Sequence, residues 1–138
     1  MKPVISLITA GLIVVKDRRL LLAYSKNKQA FYLPGGKSDA DETTLAALVR
    51  EIREELNVNL APQDLQFYSH VTAPAFGEET GIIMEQDCFI GNLPAEPNPA
   101  AEIGALEYFS TLSYKDQPQQ VPGVIQVMRQ LQQDNLID

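Results

Sequence analysis

The residues best suited to chemistry lie in one stretch, where two glycines precede a group of carboxylates. Gly35 and Gly36 are followed by Glu51, Glu54 and Glu55. In a helix that turns by about 100° per residue, these three carboxylates share an arc of about 100°. Mg²⁺ would relieve their mutual repulsion, because it prefers carboxylate oxygens and commonly shares its ligand shell with substrate phosphates. The spacing therefore indicates a divalent-cation site, and a solvated acidic helix face is the alternative interpretation.

The segment that must position these carboxylates is predicted to be a helix from Thr43 to Leu56. Asp39, Asp41 and Thr43 each offer an oxygen that can cap its N-terminus. The apolar side chains fall within roughly +60° to +160° of Glu51 around the helix axis. They are Leu45, Leu48, Val49, Ile52 and Leu56. The apolar stripe lies beside the acidic face, so the helix can dock on a sheet while its carboxylates reach a cleft.

Taken as a whole, this stretch resembles the signature of the Nudix hydrolases. The signature is G-x5-E-x7-R-E-U-x-E-E-x-G-U, in which U is a bulky aliphatic residue. The matching positions are Gly36, Glu42, Arg50, Glu51, Ile52, Glu54, Glu55 and Val58. The last glycine of the signature is replaced by Asn57. Because Asn tolerates the left-handed backbone found just after a helix C-terminus, we expect the replacement to be accommodated.

The resemblance implies a Mg²⁺-dependent catalytic site, with Mn²⁺ as an alternative metal. It implies Glu51, Glu54 and Glu55 as metal ligands, together with the carbonyl of Gly35. Many family members carry a further carboxylate in the loop before a late strand, and Glu102 fits that place as a metal ligand or as the base that takes a proton from water. An ordinary loop glutamate is the alternative. The choice of base between Glu102 and the helix glutamates stays open.

Two further residues of the signature are expected to support this chemistry. Arg50 is expected to orient the neighbouring carboxylates, since it lies one helical turn from Glu54. Glu42 is expected to brace the glycine loop or to complete the outer metal shell. Glu78 and Glu79 are weaker candidates for the role assigned to Glu102.

Substrate contacts are expected from four residues outside the acidic group. The backbone at Gly36 permits close approach of a ligand, and Lys37 could contact a phosphate. Gln119 or Gln120, in the loop before the last helix, could hydrogen-bond a nucleobase edge. The aromatic residues Tyr24, Phe31 and Tyr32 are predicted to pack in the core rather than to stack on a base, and the single histidine, His70, is predicted to be structural.

The composition fits one domain over residues 1–138 with a full hydrophobic core. The net charge of −7, from 11 basic and 18 acidic residues, argues against stable nucleic-acid or anionic-membrane binding. Cys88 is the single cysteine, which excludes an internal disulfide and a cysteine metal cluster. The apolar run from Val4 to Val15 is too short to span a membrane and lacks a convincing cleavage site. A cytoplasmic protein is expected.

The predicted elements follow the order β, β, short β, α, β, β, β, α. This order suits an α/β fold, and the resemblance implies the Nudix fold, an α/β/α sandwich with a mixed sheet between helices. The strands are predicted at Val4–Val15, Leu20–Tyr24, Phe31–Leu33, Leu65–Thr72, Gly81–Ile90 and from Glu107. A long loop is predicted over Gly91–Ala105 and a polar loop over Tyr114–Gln120, before a last helix that opens at Pro122.

The function implied is hydrolysis of a nucleoside diphosphate linked to another group. A nucleoside triphosphate or its oxidised form is the leading substrate, with a monophosphate and pyrophosphate as products. ADP-ribose or another sugar nucleotide is the second candidate, because Pro74 lies sixteen residues beyond Val58, as in ADP-ribose-cleaving relatives. A non-catalytic nucleotide-binding module is the alternative of another class. A homodimer is compatible with the family.

Overall fold

The computed structural model of the protein describes residues 5–138, which fold as two four-stranded sheets with helices packed against them. The helices are α1 Thr44–Leu56, α2 Thr111–Tyr114 and α3 Pro122–Gln133, with a short 3₁₀ helix at Pro62–Asp64. The strands are β1 Ile5–Ile13, β2 Val15–Lys16, β3 Arg19–Ser25, β4 Ala30–Tyr32, β5 Gly35–Lys37, β6 Gln66–Pro74, β7 Ile82–Ile90 and β8 Ile103–Phe109.

The first sheet has the strand order β5-β1-β7-β6 and is mixed. Strands β1 and β7 are parallel, while β5 pairs antiparallel with β1 and β6 pairs antiparallel with β7. In the second sheet, β3 pairs antiparallel with β2, β4 and β8. The mixed sheet between helices confirms the predicted α/β class, and the second sheet adds a wall that faces the first.

Side chains that alternate along β1 enter two hydrophobic cores on opposite faces of the mixed sheet. Leu12 packs with Leu48, Ile52 and Leu56 of α1 in one core. Ile13 belongs to the other core, which contains the buried side of α3. The members that α3 contributes are Val124, Val127, Met128 and Leu131, as its apolar pattern predicts. Successive strand side chains point to opposite faces, so one apolar strand supports both helices.

The helix α1 ends at Leu56 as predicted and begins at Thr44, one residue after the predicted start. The Thr43 side chain accepts a hydrogen bond from the Ala46 N–H at 3.1 Å and caps the N-terminus. Asn57 adopts a left-handed backbone with φ 57° and ψ 35°, and its N–H donates to the Arg53 carbonyl at 3.1 Å. This conformation is the reason that Asn can replace the glycine of the signature.

Several predicted boundaries are wrong. The strand predicted at Val4–Val15 ends at Ile13, and Val4 lies outside the described residues. The glycine segment is not only a turn, since Gly35–Lys37 forms β5. The long loop ends before Ile103, where β8 starts, so Glu102 directly precedes that strand.

The polar loop predicted from Tyr114 to Gln120 is wrong at its first residue. Tyr114 ends the short helix α2 and is buried, and its hydroxyl accepts from the Val121 N–H at 3.1 Å. Ser110 caps α2 through reciprocal hydrogen bonds with Ser113. Within residues 5–138, no helix combines the length and apolar character needed to cross a membrane.

Candidate active site

A cavity of about 430 Å³ opens between the two sheets and contains most of the predicted site residues. Its acidic side is formed by Glu51 and Glu55 of α1 and by Glu102, which precedes β8. The glycine strand β5 lies along the same side through Gly35, Gly36 and Lys37. The volume falls in the range of roughly 300–1,000 Å³ that is typical of small-molecule sites.

The glycines of β5 allow the backbone to lie directly against the two helix carboxylates. The Gly35 N–H donates to Glu55 Oε1 at 3.1 Å. A Cβ atom on Gly36 would lie 2.6 Å from Glu51 Cδ, closer than a side chain permits. Gly35 has a φ of 140°, and a Cβ there would lie 2.0 Å from the Ala10 carbonyl oxygen. Both glycines are therefore required by the close packing of β5 between β1 and α1.

Burial changes the protonation of the two carboxyl groups that line the cavity. Burial raises the pKa of Glu55 to about 8, against the stabilising Gly35 N–H, and the charges of Glu51, Glu102 and Glu54 add to the rise. Burial also raises the pKa of Glu51, and the Arg50 guanidinium opposes this rise. Carboxyl groups in this state are stabilised as anions by a cation bound between them.

Arg50 is the centre of the ion-pair network beside the cavity. Its guanidinium binds both oxygens of Glu42, with Nε and Nη2 each at 2.8 Å. Its Nη1 donates to Glu51 Oε1 at 3.0 Å and lies 3.5 Å from Glu54 Oε2. Its Nη2 also donates to the Lys37 carbonyl at 3.1 Å. Arg50 thus connects the helix carboxylates to the segment that follows the glycines.

The Glu42 carboxylate connects Arg50 to the backbone at Asp39. In addition to its two bonds from Arg50, Glu42 Oε1 accepts the Asp39 N–H at 2.9 Å. These hydrogen bonds, first those from Arg50 and then that from Asp39, lower the pKa of Glu42 to about 2. Its carboxylate is therefore charged and fully engaged, which fits the structural role expected of it rather than direct contact with a metal.

The remaining acidic candidates differ in position. The Glu54 side chain is 54% exposed and lies outside the cavity lining, at the rim next to Arg50. Glu102 lines the cavity, and its Oε2 accepts from the Asn27 side-chain amide at 2.9 Å. The backbone carbonyl of Glu102 also accepts the Lys26 N–H at 2.9 Å. Glu102 is thus held in place by the loop between β3 and β4.

The donor set suits a hard divalent cation. All the candidate ligands are oxygens, and the buried Glu55 needs a proton or a cation to offset its charge. Within residues 5–138, the side chains as placed do not bring three acidic, histidine or cysteine ligands onto one point. Mg²⁺ requires only one or two carboxylates, since it retains waters and takes further oxygens from substrate phosphates. The residues therefore fit Mg²⁺ as a cation shared with a substrate.

The opposite side of the cavity carries basic and aromatic side chains that the sequence did not single out as a group. Lys28 Nζ donates to Glu78 Oε1 at 2.8 Å and to the Phe76 carbonyl at 3.2 Å. The Tyr32 hydroxyl donates to the same carbonyl at 3.0 Å. Lys37 Nζ lies 3.8 Å from Glu78 Oε1. These contacts hold the loop between β6 and β7 at the mouth of the cavity, and a lysine within a polar loop gives no sequence signal of this role.

Two of the three aromatic residues predicted to pack in the core do so, and the third, Tyr32, also lines the cavity. Phe31 is buried and packs edge-on against Phe109, with ring centroids 4.9 Å apart, and its ring centroid lies 5.2 Å from that of Tyr24. Tyr24 and Phe31 therefore belong to core packing, as predicted. Tyr32 packs against the same core but also lines the cavity, so its ring is available to a ligand.

The two predicted nucleobase contacts lie away from the cavity. Gln119 and Gln120 are exposed and are not part of its lining. The Gln120 amide donates to the Tyr114 and Gln117 carbonyls at 2.8 and 3.0 Å. Glu79 is exposed outside the lining, whereas Glu78 lies inside it, bound to Lys28.

His70 also lies outside the cavity lining, on the exposed surface of β6. Its Nδ1 is 2.7 Å from Asp87 Oδ1 and its Nε2 is 2.5 Å from Glu85 Oε2. These two carboxylates, Asp87 first, raise the pKa of His70. The cluster ties β6 to β7, which agrees with the structural role predicted for the histidine.

Comparison with known proteins identifies the family to which the chain belongs. The NUDIX domain family matches residues 6–131, so the chain belongs to that family. The match confirms the resemblance to the Nudix hydrolases, the Nudix fold and the assignment as an enzyme of this family. A comparison with curated proteins finds no match.

Solved structures share the fold at low sequence identity. A MutT NUDIX hydrolase from Burkholderia pseudomallei has 24% identity and a TM-score of 0.71, covering 91% of this chain and 96% of that one. A MutT protein from Methanosarcina mazei Go1 has 16% identity and a TM-score of 0.76, covering 98% and 99%. A bifunctional NMN adenylyltransferase/ADP ribose pyrophosphatase from Francisella tularensis, complexed with AMP and a Mn ion, has 22% identity and a TM-score of 0.68, covering 97% and 42%.

Proposed function

We propose that the protein hydrolyses a nucleoside triphosphate, or its oxidised form, to a monophosphate and pyrophosphate in a Mg²⁺-dependent reaction. The observation that carries the proposal is the charge arrangement of the cavity. Glu51, Glu55 and Glu102 line one side, Lys37 belongs to β5 on that same side, and Lys28 lies opposite, where Glu78 pairs with it. A cation between the carboxylates and the ammonium groups of the two lysines can together bind a chain of phosphates.

The roles of the residues follow from where they lie. Glu51 and Glu55, with the Gly35 carbonyl, would hold the metal, and Glu54 or Glu102 would complete its shell. When bound, Mg²⁺ neutralises phosphate charge and acidifies a coordinated water. Lys37 would contact the phosphates, beside the Gly36 backbone.

Glu54 and Glu102 are the two carboxylates that we propose as acceptors of the proton from the attacking water. Glu54 stands at the exposed rim, and Glu102, which is also exposed, lines the cavity and accepts from Asn27. A base must come within hydrogen-bonding reach of the water, directly or through one further water. Arg50 bridges Glu51 and Glu54 through its Nη1 atom, and Glu42 in turn fixes Arg50.

The test is turnover of a nucleotide panel with Mg²⁺ and with Mn²⁺. The panel contains the common and oxidised nucleoside triphosphates and ADP-ribose, and phosphate is measured after added pyrophosphatase. For ADP-ribose, which releases no pyrophosphate, the products are treated with a phosphatase. We expect hydrolysis of at least one triphosphate that stops in EDTA. In EDTA the monophosphate product is measured directly, because the added pyrophosphatase itself requires Mg²⁺. Absence of triphosphate turnover by folded protein would remove the proposal.

ADP-ribose is the second candidate substrate. It is supported by the position of Pro74 and by the fold shared with the Francisella tularensis protein described as an ADP ribose pyrophosphatase. However, Pro74 is exposed at the end of β6, which is an edge strand of its sheet. A proline is tolerated there without a functional reason, because edge strands can omit a backbone donor. The triphosphate therefore stays the leading substrate.

Free nucleotides in the cytoplasm are proposed as the substrate pool, rather than nucleic acid. The net charge of −7 disfavours binding to a nucleic-acid backbone. A non-catalytic binding module is disfavoured because every glutamate of the signature is present.

A further inference from the structure

Two polar side chains, Thr9 and Gln86, lie side by side in the cavity, next to the glycine strand β5 but outside the acidic signature. They are direct neighbours on the parallel strands β1 and β7. Thr9 is 6% exposed and Gln86 is 8% exposed, and both line the cavity. Side chains of this kind are seldom buried in the middle of a sheet unless their hydrogen-bonding groups have partners.

The hydrogen-bonding capacity of this pair is largely unused. Among residues 5–138, Thr9 Oγ1 is buried and has no hydrogen-bond partner. The contact found for the Gln86 amide within the same residues is with the Cys88 thiol, at 3.8 Å to Oε1. A buried hydroxyl without a partner destabilises a fold, and the position of Thr9 on the cavity lining allows a ligand to supply that partner.

The backbone leaves space for the Gln86 amide. A Cβ atom on Gly11 would lie 3.1 Å from Gln86 Cδ and from Gln86 Nε2, and 3.0 Å from Leu33 Cδ1. The absence of a side chain at Gly11 therefore lets the amide lie flat against β1. The fixed amide presents one acceptor and two donor hydrogens, and the Thr9 hydroxyl can donate or accept.

The remaining lining near this pair is apolar and aromatic. Leu7 and Met84 form the next pair along β1 and β7 on the same face, and both line the cavity. Tyr32 and Phe76 also line it, with ring centroids 6.1 Å apart. Apolar walls with a few placed polar groups are the usual composition of a site for a flat heterocycle.

We propose that Thr9 and Gln86 recognise the edge of the nucleobase of the substrate, whose ring lies among Leu7, Met84, Tyr32 and Phe76. The proposal rests on the proposed function, since it concerns the base of the same nucleotide. A primary amide matches a heterocycle edge that carries a donor beside an acceptor, as glutamine does with adenine. The base contact is thus assigned to the sheet and not to Gln119 or Gln120.

The first test measures base discrimination in two variants. Thr9→Val keeps the shape and removes the unpartnered hydroxyl, and Gln86→Leu removes the amide. For each protein, kcat/KM is compared across triphosphates that differ only in the base. We expect each variant to reduce the ratio between the best and the worst base at least tenfold, because a site built to hydrogen-bond an edge rejects analogues that lack it.

A matched control separates base recognition from general effects of burial. Ser69 also has a buried hydroxyl without a partner among residues 5–138, but it is not part of the cavity lining. Ser69→Ala should leave the base ratio unchanged. Thr9→Val should retain the melting temperature of the wild type or exceed it, because the lost hydroxyl makes no bond in the free protein. Base ratios that stay at the wild-type value in both folded variants would overturn the assignment.

A second measurement does not depend on turnover. Nucleosides without phosphates are titrated into the wild type in EDTA, and the side-chain amide signal of Gln86 is followed by NMR, assigned by its loss in Gln86→Leu. We expect that signal to shift with the same base preference that turnover shows. If nucleosides shift it but no triphosphate is hydrolysed, the proposed function fails and the base site stands. If triphosphates are hydrolysed while the signal and the base ratios do not respond, the base site fails and the function stands.

Discussion

Arg50 holds together the carboxylates that the proposed metal would bind. Its guanidinium is shared among Glu42, Glu51 and Glu54, which partly offsets the repulsion between these neighbouring carboxylates. The two-point pairing with Glu42 uses the planar fork of the guanidinium, which a lysine cannot reproduce. A cation that binds Glu51 must therefore share this carboxylate with Arg50, and the substrate phosphates supply the additional oxygens.

The first prediction concerns Glu54→Gln. The change removes a metal ligand or a base at the cavity rim, and loss of a general base typically lowers turnover by about 10²–10⁴-fold. We expect kcat to fall by at least 100-fold while the melting temperature stays constant, because the side chain is 54% exposed. Turnover and metal affinity are measured together. Glu107→Gln, at an exposed position of β8, is the matched control and should retain full activity.

The role assigned to Glu54 would be wrong if both metal affinity and turnover stayed unchanged in Glu54→Gln. A fall in metal affinity together with turnover would identify a ligand. A fall in turnover at unchanged metal affinity would identify the base, and would leave Glu102 as a ligand or a positioning residue.

The second prediction concerns the pH dependence of stability without metal. The pKa of Glu55 is raised from 4.5 to about 8 in the folded protein. Between these values, the unfolded chain releases the proton that the folded protein retains, so folding stability falls as the pH rises. We expect the free energy of unfolding in EDTA to fall from about pH 4.5 to about pH 8. Denaturant titrations at a series of pH values measure it.

Glu55→Gln supplies the control for this prediction. Glu51 and His70 also have raised pKa values and contribute losses of stability with the same sign as the pH rises, so only the difference between wild type and variant isolates Glu55. As the pH rises, the free energy of unfolding of the wild type should fall relative to that of Glu55→Gln. Added Mg²⁺ should remove this relative fall by stabilising the charged carboxylate of the wild type. Parallel curves for the two proteins in EDTA would contradict the assignment of a buried, proton-retaining Glu55.

At the scale of elements, the C-terminus of α1 helps to position Glu102. The carbonyls of Glu55 and Leu56 accept the N–H groups of Ala100 and Asn98, each at 2.8 Å. The Asn57 side chain donates to the Asn98 carbonyl at 3.3 Å. Carbonyls at a helix end lack partners within the helix, so this loop satisfies them and is itself held in place. The loop then carries Glu102 to the cavity beside the helix carboxylates.

The third prediction compares two replacements of Asn57. At φ 57°, glycine adopts the backbone freely, whereas an alanine Cβ is strained by about 1–2 kcal/mol. We expect Asn57→Ala to lower the free energy of unfolding by about 1 kcal/mol or more, and Asn57→Gly to change it by less than about 0.5 kcal/mol. Urea denaturation measures both. Equal destabilisation in the two variants would show that the side-chain bond to Asn98, rather than the backbone conformation, is the important contribution.

The elements that the sequence predicted well are those with a strong periodic pattern. The helix α1 begins one residue later than predicted and ends at the predicted residue, and the hairpin of β6 and β7 and the helix α3 lie where alternation and Pro122 predict them. The strand β5 was missed, because Gly-Gly-Lys has low strand propensity and forms a strand only through pairing with β1. The start of β8 was missed because Gly104 and Ala105 lack a strand pattern. The strand forms there through pairing with β3.

At the scale of the whole molecule, the sequence predicted the acidic half of the cavity but not the opposite half. Apart from Glu102, the acidic half lies within one continuous stretch, whose spacing can be evaluated on a helix. The other half requires the register of distant strands, which pairs Thr9 with Gln86 across most of the chain. Thr9 belongs to an apolar run that predicts only a buried strand, and Lys28 comes from a polar loop. No local pattern connects these residues before the two sheets face each other.

Elements of both sheets line the cavity. Lys28 and Tyr32 close one end by binding the loop between β6 and β7. A nucleotide with its metal would instead connect α1, β5 and both sheets at once. Such a ligand binds the folded state and not the unfolded chain, so it should stabilise the whole domain.

The fourth prediction is therefore a cooperative stabilisation by metal and nucleotide together. With Mg²⁺ and a non-hydrolysable triphosphate analogue at about 100 times its Kd, we expect a gain of about 2.7 kcal/mol in the free energy of unfolding. Mg²⁺ alone or the analogue alone should give much less, because each supplies oxygens or charge that the other needs. Thermal melts with each component and with both measure the effect. Glu51→Gln should abolish the cooperative part, and simple additivity of the two ligands would argue against a metal shared between Glu51 and the phosphates.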